Sequence, residues 1–218
     1  IRKIGDRSTL VVSFGPMALR QRLAKRLFDL AISLPALIIL LPIFILVSVL
    51  IKVDSPGPVL FRQPRIGRGN RVFQVMKFRS MRCDALDTSG KRSTGRDDDR
   101  VTGVGRFIRR SSIDELPQLV NVLLGDMSIV GPRPHALGST VGSDLFWDAD
   151  ENYWDRHSVK PGITGLAQVR GFRGATEAKA DLANRVRADL EYIANWSIWL
   201  DTLIVLRTLT VAFHRNAF

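Results

Sequence analysis

The distribution of apolar residues along the chain predicts one long membrane segment followed by shorter elements. No charged residue occurs in residues 30–51, and as a helix this run would be about 33 Å long, enough to cross a bilayer core. Two strand-like runs follow at residues 59–62 and 71–78, and the turn residues Gly67 and Gly69 between them predict a β-hairpin. On the second strand, Lys77 and Arg79 are two residues apart and are expected to share a face.

The composition of the membrane segment favours re-entry over crossing. Pro35 and Pro42 lie inside it, and a proline in a helix interior removes a hydrogen bond and kinks the chain. Basic residues flank the run on both sides: Arg20, Arg22, Lys25 and Arg26 before it, and Lys52, Arg62, Arg65, Arg68 and Arg71 after it. Because basic flanks favour the cytoplasm, a segment broken at Pro42 can enter and leave on one side. The alternatives are a spanning helix and a buried hairpin in a soluble protein.

The C-terminal part of the chain leaves two interpretations open. A charged helix is predicted at residues 177–195. Aromatic and aliphatic residues then recur at helical spacing: Tyr192, Trp196, Trp199, Leu200, Leu203 and Leu206. This spacing suits an interfacial helix, since Tyr and Trp favour the headgroup level, and equally suits a core helix. The predicted fold class is α+β and mostly helical, with a re-entrant membrane helix, a small β-hairpin and interfacial amphipathic helices.

Charge and cysteine content narrow the range of functions. The 218 residues include 32 Lys+Arg and 21 Asp+Glu, a net charge of +11, which favours nucleic acid, anionic lipid or a phosphorylated substrate as partner. The single Cys83 excludes an internal disulfide. His135, His157 and His214 lack metal-ligand spacing and are expected to be packed or solvated.

Two adjacent acids within a basic stretch are the main candidate site. Asp114 and Glu115 lie among basic residues that include Arg106, Arg109, Arg110 and Arg133. This arrangement suggests a divalent-metal or nucleophile site with arginines as phosphate ligands. A structural alternative is a capping box from Ser112 to Glu115 that starts an apolar helix ending at Gly125.

The chain contains no glycine-rich phosphate loop, so phosphate binding would fall to arginines. The polar residues 84–100 are predicted to form a loop in which Asp97 and Asp98 are solvated charges. Residues 135–157, which contain Trp147 and Trp154, are also predicted as a loop.

Several motifs in one order resemble those of the bacterial sugar transferases, monotopic polyprenyl-phosphate phosphoglycosyl transferases that start glycan assembly. The resemblance covers roughly residues 20–218, which would form the catalytic domain, with residues 1–19 as the tail of an upstream region. Its motifs are Lys25-Arg26-Leu27-Phe28-Asp29, Asp54-Ser55-Pro56-Gly57-Pro58, Phe61-Arg62-Gln63, Lys77-Phe78-Arg79-Ser80-Met81, Asp99-Arg100-Val101-Thr102, Asp114-Glu115-Leu116-Pro117-Gln118, Gly131-Pro132-Arg133-Pro134 and residues 160–168.

The resemblance implies a location and a reaction. A re-entrant helix broken at Pro42 would place the active site at the cytoplasmic face of the bacterial inner membrane, in contact with membrane lipid. In much of the family a serine precedes this proline, where this chain has Leu41. The implied reaction moves a sugar phosphate from a UDP-sugar to undecaprenyl phosphate and releases UMP. No nucleic acid partner is implied, and a homodimer is left open.

The resemblance also assigns roles to individual residues. Asp114 would be the nucleophile that forms an acyl phosphate, and Glu115 would bind Mg²⁺. The cations assigned to phosphate oxygens are Lys77, Arg109 and Arg133, with Arg79 and Arg100 nominated by the same motifs. Each of these could instead be a surface cation. Arg173 would contact uridine or the sugar.

Two further hypotheses are kept. The first is the same reaction with galactose or an N-acetylated aminosugar, although residues 170–176 look most like relatives that transfer glucose-1-phosphate in exopolysaccharide initiation. The second is a membrane-tethered basic binding or scaffold protein, suggested by the net charge. Release of UMP from a UDP-sugar separates the enzyme from the scaffold.

Overall fold

The computed structural model describes residues 2–4, 7–9, 16–83, 98–172, 174, 176 and 178–212. These residues are mostly helical, with small sheets, as predicted. The α-helices are α1 (Leu19–Asp54), α2 (Gly103–Arg110), α3 (Gln118–Leu124), α4 (Phe146–Ala149), α5 (Leu166–Val169), α6 (Lys179–Ala194) and α7 (Ile198–Ala212). Short 3-10 helices lie at Arg68–Asn70, Ile113–Glu115 and Tyr153–Ser158. The strands are β1 (Arg2–Ile4), β2 (Arg7–Thr9), β3 (Leu60–Ile66), β4 (Val72–Phe78), β5 (Ser128–Val130), β6 (Thr140–Val141), β7 (Asp144–Leu145) and β8 (Gly162–Thr164).

Helix α1 packs against the domain along one stripe. Its 36 residues run continuously past both prolines. The buried or half-buried positions on the stripe recur every three or four residues: Lys25, Asp29, Ser33, Ala36, Leu40, Phe44, Val47 and Ile51. In its most apolar 18-residue window only 11% of residues are buried, whereas a soluble core helix would be mostly buried. Among the described helices, α1 alone is long and apolar enough to cross a membrane. Its outer face is therefore suited to lipid.

Buried polar contacts fix the N-terminal part of α1. The Lys25 ammonium lies 2.7 Å from the carboxylate of Asp201 on α7, and the Tyr192 hydroxyl donates to the same carboxylate at 2.8 Å. Asp29 accepts a hydrogen bond of 2.8 Å from the Ser128 hydroxyl on β5. All these groups are buried, and pairing offsets the cost of removing their charges from water.

Arg79 fixes the C-terminal end of α1. Its side chain is 2% exposed and its guanidinium donates to the carbonyls of Ile51, Ser55 and Pro56 at 3.3, 2.7 and 2.6 Å, and to the Cys83 sulfur at 2.9 Å. A helix leaves its last carbonyls without partners and carries partial negative charge at that end, so a buried cation stabilises it. Both ends of α1 are thus bound to the same domain.

The predicted hairpin is confirmed, with a first strand longer than expected. β3 pairs antiparallel with β4, from Leu60 opposite Phe78 to Ile66 opposite Val72. The tip turns through left-handed residues, Gly69 and Asn70, at φ 66° and 60°. In a separate sheet, β5 pairs in parallel with β8. The main core cluster comprises Val75, Leu119, Val122, Met127, Ile129, Val130, Leu166, Tyr192 and Ile204.

The helix predicted at residues 177–195 is confirmed as α6, and the aromatic residues from Tyr192 onward divide between core and surface. Tyr192 is 1% exposed, whereas Trp199 on α7 is 75% exposed. The expected loop at residues 135–157 contains α4 and two short strands, with Trp147 stacked on Trp154.

Candidate active site

The adjacent acids lie on the 3-10 helix Ile113–Glu115 between α2 and α3. Ser112 precedes it in the left-handed conformation, at φ 54°, and its side chain makes no capping hydrogen bond. The predicted capping box is therefore not formed. Pro117 lies at the N-cap of α3, and Gly125 ends this helix at φ 91°, as predicted. The two carboxylates are left free of a capping role and lie beside β4 and the loop after β5.

Two cations bind Glu115. The Lys77 ammonium on β4 lies 2.7 Å from its Oε1, and both terminal nitrogens of Arg133 donate to the carboxylate, at 3.1 and 2.5 Å. Their charges hold the pKa of Glu115 well below its usual range despite its burial. The Arg133 side chain keeps 41% exposure, so it can also contact a ligand. Glu115 is thus an ionised, fixed carboxylate.

Asp114 has the opposite electrostatic character. Burial is the main cause that raises its pKa from 3.8 to about 6, and the charge of Glu115 acts in the same direction. Lys77, Arg109 and Arg133 lower the pKa and offset part of this rise. Two adjacent carboxylates therefore differ in proton affinity because only one is bound by the cations. At neutral pH Asp114 is an ionised carboxylate that lacks favourable solvation.

Backbone contacts hold Arg133 in place. Gly131 donates to the Thr164 carbonyl at 2.8 Å, and Gly162 donates to the Pro132 carbonyl at 2.9 Å, so the loop after β5 is bound to β8. A side chain at Gly131 would place its Cβ 2.5 Å from the Lys160 carbonyl, which explains the need for glycine. The buried Arg156 donates to the Arg133 carbonyl at 2.8 Å.

Asn121 connects α3 to the free edge of β4. Its side-chain nitrogen donates to the Gln74 carbonyl at 2.7 Å, and its side-chain oxygen accepts from the Met76 backbone nitrogen at 2.9 Å. Met76 directly precedes Lys77, and Asn121 lies six residues after Glu115, so these bonds help to fix the distance between Lys77 and Glu115. Asn121 is fully buried, and replacing it would leave edge backbone groups unpaired.

Arg65 lies at the site, but the sequence did not identify it as a candidate site residue. Its guanidinium donates to the Pro134 carbonyl at 3.0 Å and to the Gln63 side chain at 2.5 Å. Burial and the nearby charge of Arg133 lower its pKa to about 10, and the charge of Glu115 raises it. The alternation along β3, which turns Gln63 and Arg65 to one face, was the available signal.

The other residues that were predicted to bind substrate lie at different distances from the two acids. Arg109 is near enough to Asp114 to lower the pKa of that carboxyl. Arg79 lies under the end of α1, which gives it a structural role. Arg100 binds Asp98 at 2.5 Å, and the Asp98 side chain is 5% exposed, which corrects the expectation that Asp98 is solvated. Arg173 lies outside the described residues.

The histidines of the described region are packed, as expected. His135 contacts the Tyr153 hydroxyl at 3.0 Å, and His157 contacts Asn70 at 2.9 Å. No group of three or more His, Cys, Asp or Glu side chains with metal-binding geometry occurs in the described parts of the chain. The pair Asp114 and Glu115 still fits Mg²⁺, which takes one or two carboxylates together with substrate phosphates. Glu115 accepts three hydrogen bonds of about four that a carboxylate can take.

Chemically, this arrangement can bind phosphate oxygens through Lys77, Arg109 and Arg133 and offers Asp114 as a nucleophile. Comparison of the sequence with known protein families agrees with this class of chemistry. The bacterial sugar transferase family model matches residues 20–215, and the chain belongs to that family.

Three relatives show what its members do. An undecaprenyl-phosphate glucose phosphotransferase of Komagataeibacter xylinus is 52% identical over 219 residues, covering 100% of this chain and 41% of the relative. A UDP-glucose:undecaprenyl-phosphate glucose-1-phosphate transferase of Caulobacter vibrioides is 48% identical, covering 85% of this chain and 68% of the relative. A UDP-N-acetylgalactosamine-undecaprenyl-phosphate N-acetylgalactosaminephosphotransferase of Aeromonas hydrophila is 44% identical, covering 85% of this chain and 42% of the relative. The chain thus spans less than half the length of the first and third.

Proposed function

We propose that this chain transfers a sugar-1-phosphate, best assigned as glucose-1-phosphate, from a UDP-sugar to undecaprenyl phosphate and releases UMP. The observation that carries the proposal is the difference between two adjacent carboxylates. Glu115 is bound by Lys77 and Arg133, whereas Asp114 beside it has a raised pKa. The names of the relatives, which include two glucose enzymes, support the sugar assignment. The Aeromonas relative keeps an N-acetylated aminosugar as the second candidate.

The proposed reaction has two steps, each a substitution at the same phosphorus. An oxygen of the Asp114 carboxylate bonds to the sugar-bearing phosphorus of the UDP-sugar, while the bond from that phosphorus to the bridging oxygen breaks and UMP leaves with the electron pair. A phosphate oxygen of undecaprenyl phosphate then attacks the same phosphorus. The acyl phosphate bond breaks and the Asp114 carboxylate is regenerated. The water-soluble donor and the lipid acceptor therefore need not occupy the site together.

The cations around the pair hold the charged groups during both steps. Arg133 is part-exposed and Arg109 lies near Asp114, so both can bind the oxygens of the diphosphate. Lys77 keeps Glu115 ionised and in place. Glu115 would hold Mg²⁺, which when bound neutralises part of the charge on the diphosphate. Removal of Mg²⁺ by a chelator is expected to stop UMP release, and addition of Mg²⁺ to restore it.

The membrane part of the proposal is that α1 enters and leaves the bilayer on the cytoplasmic face of the bacterial inner membrane. Its two ends both bind the catalytic domain, through Lys25 and Asp29 at one end and through Arg79 at the other. A helix that crossed the bilayer would put these ends on opposite sides, about 30 Å apart. Its exposed apolar face, together with Trp199 of α7, would contact lipid. The bend at Pro42 stays a prediction.

A panel of UDP-sugars tests the reaction. Purified protein in detergent is mixed with undecaprenyl phosphate and UDP-glucose, UDP-galactose or a UDP-N-acetylhexosamine, and UMP is measured. We expect UDP-glucose to react fastest, by about tenfold. Asp155→Asn, the same substitution at an exposed carboxylate, is the control and should keep full activity. Failure of every sugar to yield UMP above that of Asp114→Asn would contradict the proposal.

A further inference from the structure

A positively charged cavity lies beside the first turns of α1. It has a volume of about 370 Å³ and is bounded by α1, the tip of the β3–β4 hairpin and the residues around the end of the 3-10 helix Tyr153–Ser158. Cations from three separate segments line it: Arg22, Lys25, Arg26, Arg68 and Lys160. Asp29 is the one carboxylate among its lining residues. Such an excess of positive charge in a concave site favours an anionic ligand.

Arg68 and Lys160 are the two cations best placed to bind a ligand, because Lys25 and Arg26 already have partners within the protein. Lys25 binds Asp201, and Arg26 donates to the carbonyls at the end of α3. Arg68 is exposed at the hairpin tip and Lys160 is half-buried. Burial is the main cause that lowers the pKa of Lys160; the charges of Arg26 and Arg68 act in the same direction, while Asp29 and Asp126 offset part of it, so both arginines lie near enough to Lys160 to repel it. An anion between them would relieve that repulsion.

His157 adds a second, independent feature. Its Nδ1 lies 2.9 Å from the Asn70 side-chain oxygen, an acceptor, so Nδ1 carries the proton. Burial and the charge of Arg156 lower the pKa of His157 to about 4, which keeps the ring neutral at neutral pH. Its Nε2 is then a buried acceptor, and it has no hydrogen-bond partner in the described structure. His157 is among the residues that line the cavity, so a small shift of the ring on binding would let a ligand hydroxyl supply the missing donor.

We infer that this cavity binds a phosphate-bearing ligand that also carries a hydroxyl, with Arg68 and Lys160 on the phosphate and His157 Nε2 accepting from the hydroxyl. Two sources have this chemistry: the headgroup of an anionic phospholipid and a soluble phosphate ester. The exposed Leu19 and Leu23 lie on the same helix turns, which brings lipid near the opening. The carboxylate pair lies elsewhere, since Lys77 is five residues along β4 from Val72 at the hairpin tip, roughly 17 Å.

The lipid source is tested by native mass spectrometry of the detergent-purified chain. Dioleoyl phosphatidylglycerol and dioleoyl phosphatidylcholine share their acyl chains, so a difference in retention reports the headgroup. We expect wild type to retain the glycerol lipid about tenfold better, and Arg68→Gln/Lys160→Gln to lose this preference. Arg71→Gln, an exposed cation beyond the cavity wall, is the matched control and should keep it. Because Arg68 is exposed, Arg68→Gln alone should fold and show a weaker loss.

The soluble source is tested by titrating the same proteins with glycerol 3-phosphate in detergent. Binding that depends on Lys160 and Arg68, without a preference for phosphatidylglycerol, would support the cavity and assign it to a soluble ester. His157→Phe should weaken binding of whichever probe binds, because the hydroxyl loses its acceptor. If neither probe distinguishes wild type from the double variant, or if Arg71→Gln loses as much as Arg68→Gln, the inference is overturned.

Discussion

Arg133 donates to Glu115 through both terminal nitrogens, at 3.1 and 2.5 Å, and this pairing separates two carboxylates that are adjacent in sequence. The pKa of Glu115 is held well below its usual range, whereas burial and the nearby Glu115 raise the pKa of Asp114 to about 6. A carboxylate that is poorly solvated yet ionised at neutral pH is a stronger nucleophile than a solvated one. The pair therefore provides one fixed anion and one poorly solvated anion, and the second is the proposed nucleophile.

The first prediction concerns the pH dependence of the half-reaction. Only ionised Asp114 can attack, so the first turnover of UMP release should fall as the pH drops through about 6 and level off above it. The donor alone should be used, because the phosphate monoester of the lipid acceptor also titrates near pH 6. UMP is measured in a rapid-quench experiment. A first turnover that stays constant down to about pH 5, in protein that remains folded, would contradict the assignment.

The second prediction is that Asp114→Asn stabilises the fold while removing activity. With a folded pKa of about 6 and an unfolded value near 3.8, the unfolded chain ionises first as the pH rises. The resulting penalty on the folded state is absent below about pH 4 and complete above about pH 6, and it amounts to about 1–3 kcal/mol. Thermal unfolding at pH 7.5 should show a higher Tm for Asp114→Asn, and the gain should vanish at pH 4. Asp155→Asn should leave Tm unchanged, and a lower Tm for Asp114→Asn would refute the electrostatic argument.

The third prediction separates the two roles considered for Arg79. Its buried guanidinium binds three carbonyls at the end of α1, so Arg79→Ala should cost about 3 kcal/mol of stability. The KM for the UDP-sugar, measured on the folded fraction, should stay at the wild-type value. Arg71→Ala, at an exposed position, serves as the control. A raised KM at an unchanged Tm would restore the substrate-binding hypothesis.

Arg79 also illustrates what could not be predicted from the sequence. Two-residue spacing put it on the same strand face as Lys77, but β4 ends at Phe78 and the next residue turns under α1. Strand ends depend on tertiary contacts, which spacing does not encode. The hairpin and the helix α6 followed from turn residues and charge periodicity. The motif resemblance placed Lys77 and Arg133 at one site with the acids, but as phosphate ligands, and their ion pairs with Glu115 were not predicted.

The stripe of α1 that packs against the domain could not be predicted from the sequence, for a different reason. Between Leu30 and Ile51 almost every side chain is apolar, so the face that contacts the domain does not differ from the face exposed to lipid. Only the structure shows that Ser33, Leu40 and Val47 share the inner face. The role of Arg65 was missed because its partners, Gln63 and the Pro134 carbonyl, include a backbone group far along the chain.

The fourth prediction tests the topology of α1. In a Cys83→Ser background, cysteines at positions 20 and 55 should both react with an impermeant reagent from the cytoplasmic side only. Pro42→Leu removes the residue that interrupts the helical hydrogen bonds and should move one of these positions to the far side, with loss of UMP release. Pro35→Leu, at the other helix proline, provides a comparison. Labelling of either cysteine from the periplasm in the Pro42 protein would show a spanning helix.

The central claim is that Asp114 carries the sugar phosphate, and intact-protein mass spectrometry tests it most directly. The protein is incubated with UDP-glucose in the absence of undecaprenyl phosphate and quenched in acid. Wild type and Asp155→Asn are expected to gain the mass of one hexose phosphate, located to Asp114 by peptide analysis, and Asp114→Asn should gain none. Adding undecaprenyl phosphate before the quench should remove the adduct. UMP release by wild type without any adduct would contradict the covalent mechanism and favour direct transfer.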